Sequence, residues 1–188
     1  MNYLVIKAGY FTTSPWNGGS TTELFIYPIP SKYANRNFNF RLSTATVNVE
    51  ESTFTSLPGI TRTLMVLDGE MILAHKAQHT AKLCRFDSDN FNGDWETSSK
   101  GKCVDFNLMT MGDTEGTVES LHVNKGKQVD FSFPDNIQHV VIYVYSGQIK
   151  IENKTIDPGD LVVFEDPTKS IEFISVEKCD LIISKVFQ

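Results

Sequence analysis

The sequence has no run of basic residues. Seventeen lysines and arginines stand against 23 acids, for a formal net charge of −6. Phosphate-dominated binding draws its affinity from clustered cations, so this balance argues against a nucleic-acid partner. No segment approaches the roughly 20 consecutive apolar residues that span a bilayer, so no membrane partner is expected. The amino terminus, MNYLVIKAGYFTTSPW, lacks a basic start, a long apolar stretch and a small-residue cleavage site. A cytoplasmic protein with a first strand near Tyr3–Ile6 is therefore expected. Cys84, Cys103 and Cys179 form no CxxC pair. That excludes a disulfide framework or zinc cage and leaves reduced, buried thiols as the reading.

Apolar residues at helical spacing are nearly missing as well. Short runs rich in Val, Ile, Phe, Tyr and Thr recur instead, broken by Gly, Pro, Asn and Asp, which is the pattern of an all-β chain. With 40% hydrophobic residues and thirteen phenylalanines, core-forming capacity is ample to offset the ordering entropy of a folded chain. FNFRLSTATVNVE (Phe38–Glu50) alternates, with Phe38, Phe40 and Leu42 on one face and Arg41, Ser43 and Ala45 on the other. RTLMVLDGEMILAH (Arg62–His75) reads as two strands joined at Asp68 and Gly69, a dipeptide suited to a hairpin turn. VYSGQIKI (Val144–Ile151) repeats the strand-turn-strand grammar of VLDGEMIL (Val66–Leu73). The repetition predicts two small β-barrels: a first over residues 1–112, a second over 113–188, packed tightly as one unit. Within the first, FDSDNFNGDWETSSKGKC is polar and glycine-containing, so a surface loop over 86–102 is expected, with a mobile lid as the alternative.

The unit "strand, x-G, strand, x-PGD-x-strand", carried by VYSGQIKIENKTIDPGDLVVF, looks like a cupin barrel. Three more motifs, PWNGG (Pro15–Gly19), FRLSTATV followed by LPGITRTLMVLDGE, and DFNLMT (Asp105–Thr110), resemble the HutD/Ves family in order and spacing. The resemblance implies a bicupin, bacterial and often associated with histidine utilisation. It implies a regulator or small-molecule binder more than a defined chemistry. Ser20 departs from a third glycine common in the family, and TMGD follows DFNLM where a basic residue is common.

Many cupins bind a metal through histidines and a carboxylate. Counting back from Gly69 to the usual carboxylate register gives Arg62, which cannot ligate a cation. No HxH pair precedes either unit. No metal and no cofactor are therefore expected, with His75 and His79 as solvated hairpin histidines and His122 and His139 as core or rim residues. Arg62, a permanently charged fork at the start of a strand that points into the barrel mouth, suits a planar anion; its alternative role is an ion pair with Asp105 or Glu23. Asp105, Asn107 and Met109 share one strand face. Trp16 would wall the pocket, and Asn17, Gly18, Gly19 and Thr22 would bring polar and backbone groups to its rim.

The expected function is binding of a small polar or carboxylate-bearing metabolite, an anion by preference, without metal, in a role regulatory or auxiliary to histidine or amino-acid catabolism or stress response. Two alternatives stand beside it. One is a metal-independent isomerase or hydrolase with Asp105 as base and Arg62 as clamp. The other is a partner-binding protein with a vestigial pocket. Exposed edge strands would permit a homodimer.

Overall fold

In the computed structural model, which describes residues 3–134, 136–167 and 170–187, alternation is realised as strands almost throughout. The first are β1 (Tyr3–Ile6), β2 (Thr12–Trp16), β3 (Gly19–Tyr27), β4 (Phe40–Val47), β5 (Glu51–Thr53), β6 (Ile60–Gly69) and β7 (Met71–His75). Then come β8 (Thr80–Leu83), β9 (Ser88–Asn92), β10 (Thr97–Lys100), β11 (Cys103–Met111), β12 (Glu115–Val123) and β13 (Gln128–Ser132). The last are β14 (Ile137–Ser146), β15 (Ile149–Ile151), β16 (Lys154–Ile156), β17 (Leu161–Glu165), β18 (Ser170–Ser175) and β19 (Cys179–Phe187). Two short 3₁₀ turns, Ala8–Tyr10 and Tyr33–Asn35, are the helical elements among the described residues.

The chain forms two units, Thr12–Thr114 and the combination of Met1–Phe11 with Glu115–Gln188. The first eleven residues thus belong with the second half. β1 pairs antiparallel with β17, Tyr3 opposite Phe164 and Ile6 opposite Leu161. Sequence proximity had assigned this strand to the first unit, but a strand edge can be satisfied by any complementary edge.

In Thr12–Thr114, a six-stranded sheet of order β2-β3-β4-β11-β6-β9 pairs with a four-stranded sheet, β5-β10-β7-β8. Their facing apolar side chains, among them Val47, Leu64, Val66, Leu73 and Phe91, form one buried cluster. The other unit has a five-stranded sheet, β1-β17-β14-β19-β12, and a four-stranded one, β13-β18-β15-β16. Val140, Ile142, Phe164, Phe173 and Leu181 lie at its core. The ladders end in open edges, so each unit is a pair of sheets sharing a core where closed barrels were expected.

The two strands are joined at Asp68-Gly69 as read, with Gly69 at φ 79°, but they form no hairpin: β6 pairs with β11 and β9, and β7 with β10 and β8, so the turn carries the chain from one sheet to the other. The stretch expected as a loop over 86–102 contains β9 and β10 instead. Their inward residues Phe91, Thr97 and Ser99 are buried while the intervening ones face outward. Small polar residues on the solvent face gave the segment a loop-like composition although its alternation is that of strands, β9 at the edge of its sheet and β10 between β5 and β7. Of the three cysteines, all free, Cys103 and Cys179 are buried as expected, but Cys84 is exposed.

Candidate functional site

Antiparallel pairing puts residues opposite one another on the same sheet face, and this builds the site. On β11, Met109 sits opposite both Arg41 of β4 and Arg62 of β6; Asn107 sits opposite Ser43; Asp105 sits opposite Ala45. On β3, Thr21 and Glu23 pair with Ala45 and Ser43 of β4 and continue that face. Together with Trp16, Tyr33 and the segment from Ser52 to Leu57, these side chains line a cavity of about 580 Å³ within the Thr12–Thr114 unit.

Two buried arginines dominate it, Arg41 at 6% and Arg62 at 7% exposure. Arg41 is fully engaged. Its Nε donates to Glu23 Oε2 at 2.7 Å, its Nη1 donates to Ser43 Oγ at 3.1 Å, and its guanidinium lies 4.4 Å from the Tyr33 ring centroid. Arg62 is held differently. Its guanidinium carbon lies 4.7 Å from the Phe54 centroid and 5.3 Å from that of Phe91, while Nε is enclosed without a hydrogen-bond partner. Burial lowers its pKa to about 10, with Arg41 also pushing it down and Asp105 opposing both. Asp105, 3% exposed, is raised to about 7 by burial, against the downward pull of Arg62. The two charges sense each other, and for each the loss of water outweighs the attraction. Asn107 Oδ1 is also enclosed without a partner.

Enclosed polar atoms without partners are costly, roughly 1–3 kcal/mol each. Here the two residues that carry them, Arg62 with a cationic donor and Asn107 with an acceptor, line one cavity together with the buried carboxyl of Asp105. A ligand with a carboxylate and an N–H or O–H group would satisfy them together. No histidine or cysteine lines the cavity among the described residues, so its polar chemistry rests on guanidinium, carboxyl, amide and hydroxyl groups.

Of the residues read from sequence, Trp16, Arg62, Asp105 and Asn107 line the cavity, whereas Asn17, Gly18, Gly19 and Thr22 do not. Asn17 and Gly18 form the tip of the β2–β3 hairpin, closed by pairing of Trp16 with Gly19, and Asn17 is exposed. Thr22 falls on the face opposite Thr21 and Glu23, where its hydroxyl bonds Thr13 Oγ1 at 2.8 Å. The PWNGG stretch is thus a tight turn that presents the indole. Glu23 is the partner of Arg41, not of Arg62. Arg41, on the face that the alternation of FRLSTATV marked as polar, was the residue to add to the site; Tyr33 and Phe54 carried no such signal.

The histidine pair also differs from expectation. His75 is 3% exposed, so it is no solvated loop residue. It meets His79 and Asp89 in a cluster outside the cavity. His122 is exposed and His139 buried.

No curated protein matches the sequence. Solved structures do. PA5104, a conserved protein of unknown function from Pseudomonas aeruginosa PAO1, is 20% identical with a TM-score of 0.83, covering 100% of both chains. HutD from Pseudomonas fluorescens SBW25, determined in a formate condition, is 22% identical with a TM-score of 0.74, covering 100% of this chain and 99% of that one. The bacterial pirin YhhW of Escherichia coli in complex with nickel(II) is 10% identical with a TM-score of 0.75, covering 98% of each. At these identities the likeness extends to the fold, which is all-β and cupin-like. Membership comes from the sequence itself: the HutD family model matches residues 8–183, and the protein belongs to the HutD family.

Proposed function

We propose that the protein is a cytoplasmic bicupin that binds a small carboxylate-bearing metabolite in the Thr12–Thr114 cavity without metal. Its role on this reading is regulatory or auxiliary to histidine or other amino-acid catabolism or to stress response. The observation that carries the proposal is Arg62: a buried guanidinium stacked on Phe54 and Phe91, with an enclosed Nε that no protein group satisfies. A planar carboxylate matches that fork in charge and geometry. Asn107 and Asp105 add an acceptor and a titratable group for the rest of the ligand.

The test is a thermal-shift screen of mono- and dicarboxylates, formate included, and of intermediates of amino-acid degradation. A ligand at 100 times its Kd should stabilise the fold by about 2.7 kcal/mol. Arg62→Leu should abolish that shift while the fold is largely retained, because the guanidinium Nε makes no hydrogen bond within the protein that the substitution would break. If no ligand shifts the wild type and Arg62→Leu melts many degrees lower, the arginine is architectural.

Asp105 supports a second reading. A carboxyl titrating at about 7 is tuned for general acid-base catalysis near neutrality, as an isomerase acting on such a metabolite requires. Turnover of a bound compound, lost in Asp105→Asn with binding retained, would establish it.

A further inference from the structure

His75 closes β7, His79 ends the turn that follows it, and Asp89 lies on β9. The hairpin is pinned by the His75 N–H donating to the His79 carbonyl at 2.9 Å. This brings the two rings to a centroid distance of 4.6 Å. Both Nε2 atoms point at one carboxylate: His75 Nε2 lies 2.8 Å from Asp89 Oδ2, and His79 Nε2 lies 3.0 Å from each Asp89 oxygen. The three donor groups lie within 4.8 Å of one another.

Behind the cluster, the Thr97 hydroxyl lies 2.8 Å from His75 Nδ1 and donates to the Trp95 carbonyl at 3.2 Å. Phe91 and Trp95, whose rings lie 4.4 and 5.6 Å from His75, form a wall beside it. Both Nε2 atoms converge on one carboxylate, so two neutral imidazoles protonated at Nδ1 would present two lone pairs and an anionic oxygen to a single cation. The outer hydrogen bond through Nδ1 is also the arrangement that orients a histidine for metal ligation.

We propose that His75, His79 and Asp89 form a binding site for one divalent transition-metal ion of the zinc type, with His75 and His79 ligating through Nε2 and Asp89 through its carboxylate. Two imidazoles and one carboxylate suit zinc, nickel and related ions better than calcium or magnesium. Three protein ligands leave a coordination position for solvent or another donor. Exposed His79 gives the ion access from water. The site ties the β7–β8 hairpin to β9. It is separate from the metabolite cavity, and Phe91 touches both His75 and Arg62.

The test uses the full chain without an affinity tag, stripped with chelator and titrated with Zn²⁺ by calorimetry and with Co²⁺ as a spectroscopic probe. One equivalent should bind, raise the melting temperature and give hyperfine-shifted imidazole signals from two histidines in the Co²⁺ form. His79→Gln and Asp89→Asn should each weaken affinity at least tenfold while the metal-free melt stays within a few degrees of wild type. Thr97→Val, which removes a positioning contact, should weaken it about tenfold. Absence of saturable binding to the wild type, or an unchanged titration in either ligand variant, overturns the proposal. If a variant fails to fold, the wild-type Co²⁺ spectrum decides: without two shifted imidazoles the proposal fails.

Discussion

Arg62 and Asp105 are oppositely charged and within electrostatic reach, yet burial shifts both toward their neutral forms. Asp105 gives the sign of a pH effect. Its folded pKa of about 7 lies above the ordinary aspartate value of 3.8, so between those values the folded state keeps a proton that the unfolded chain releases. Stability then falls as pH rises through this window, by at most about 1.4 kcal/mol per unit, and levels off above it. Asp105→Asn should remove that slope from denaturant midpoints measured between pH 5 and 8; an unchanged slope would place its origin elsewhere. The alternation of DFNLMT made Asp105 and Asn107 legible in the sequence, and Arg62 stood out as a charge entering an apolar run. Arg41 was legible as a face and not as a partner. Its pairing with Glu23 depends on a β3–β4 register that contains an irregularity between Glu23 and Phe25, and alternation cannot count across a bulge.

At the scale of the element, the β2–β3 hairpin shows what a glycine pair does. Gly18 has φ 137° and lies beneath the Trp16 ring, and its carbonyl accepts from the Asn48 N–H at 2.7 Å. A Cβ on Gly19 would overlap the Thr46 carbonyl oxygen of the neighbouring strand. Because that obstacle is backbone, relief requires β3 and β4 to separate. Gly19→Ala should cost about 2–4 kcal/mol, in the range of large steric and strain effects, and displace the indole from the cavity wall. Chemical denaturation and Trp16 fluorescence would register both; a loss below about 0.5 kcal/mol would show that the strands yield freely. The motif's cost in side chains was legible, its purpose less so. Glycines beside an aromatic can serve a ligand or a close strand crossing, and only the Thr46 contact separates the two. The segment expected as a loop over 86–102 was misread for a related reason: short strands with one small polar face resemble loops in composition.

At the scale of the molecule, the repeated grammar of Val66–Leu73 and Val144–Ile151 has a counterpart in strand order. β4-β11-β6-β9 in one unit matches β12-β19-β14-β17 in the other, and β5-β10-β7-β8 matches β13-β18-β15-β16. Each repeated segment leaves its larger sheet and enters the four-stranded one at the corresponding place. Local turn spacing made this legible. The destination of β1 was not, because it depends on a partner more than 150 positions away. Beyond the strand ladder, β1 is fixed by Tyr3, whose ring lies tilted 5.4 Å from that of Phe164, and by Asp160, which accepts from Lys7 Nζ at 2.6 Å and from the Ala8 N–H at 3.0 Å. Removing residues 1–7 should therefore weaken the far half of the chain. Lost burial of Tyr3 and Val5 amounts to about 2–4 kcal/mol, and the apolar strand β17 gains an unpaired edge that invites association. Hydrogen exchange should show faster exchange across Leu161–Glu165 with protection retained across Phe40–Val47, and light scattering should rise. Equal loss of protection in both stretches would mean that the two units melt as one cooperative body.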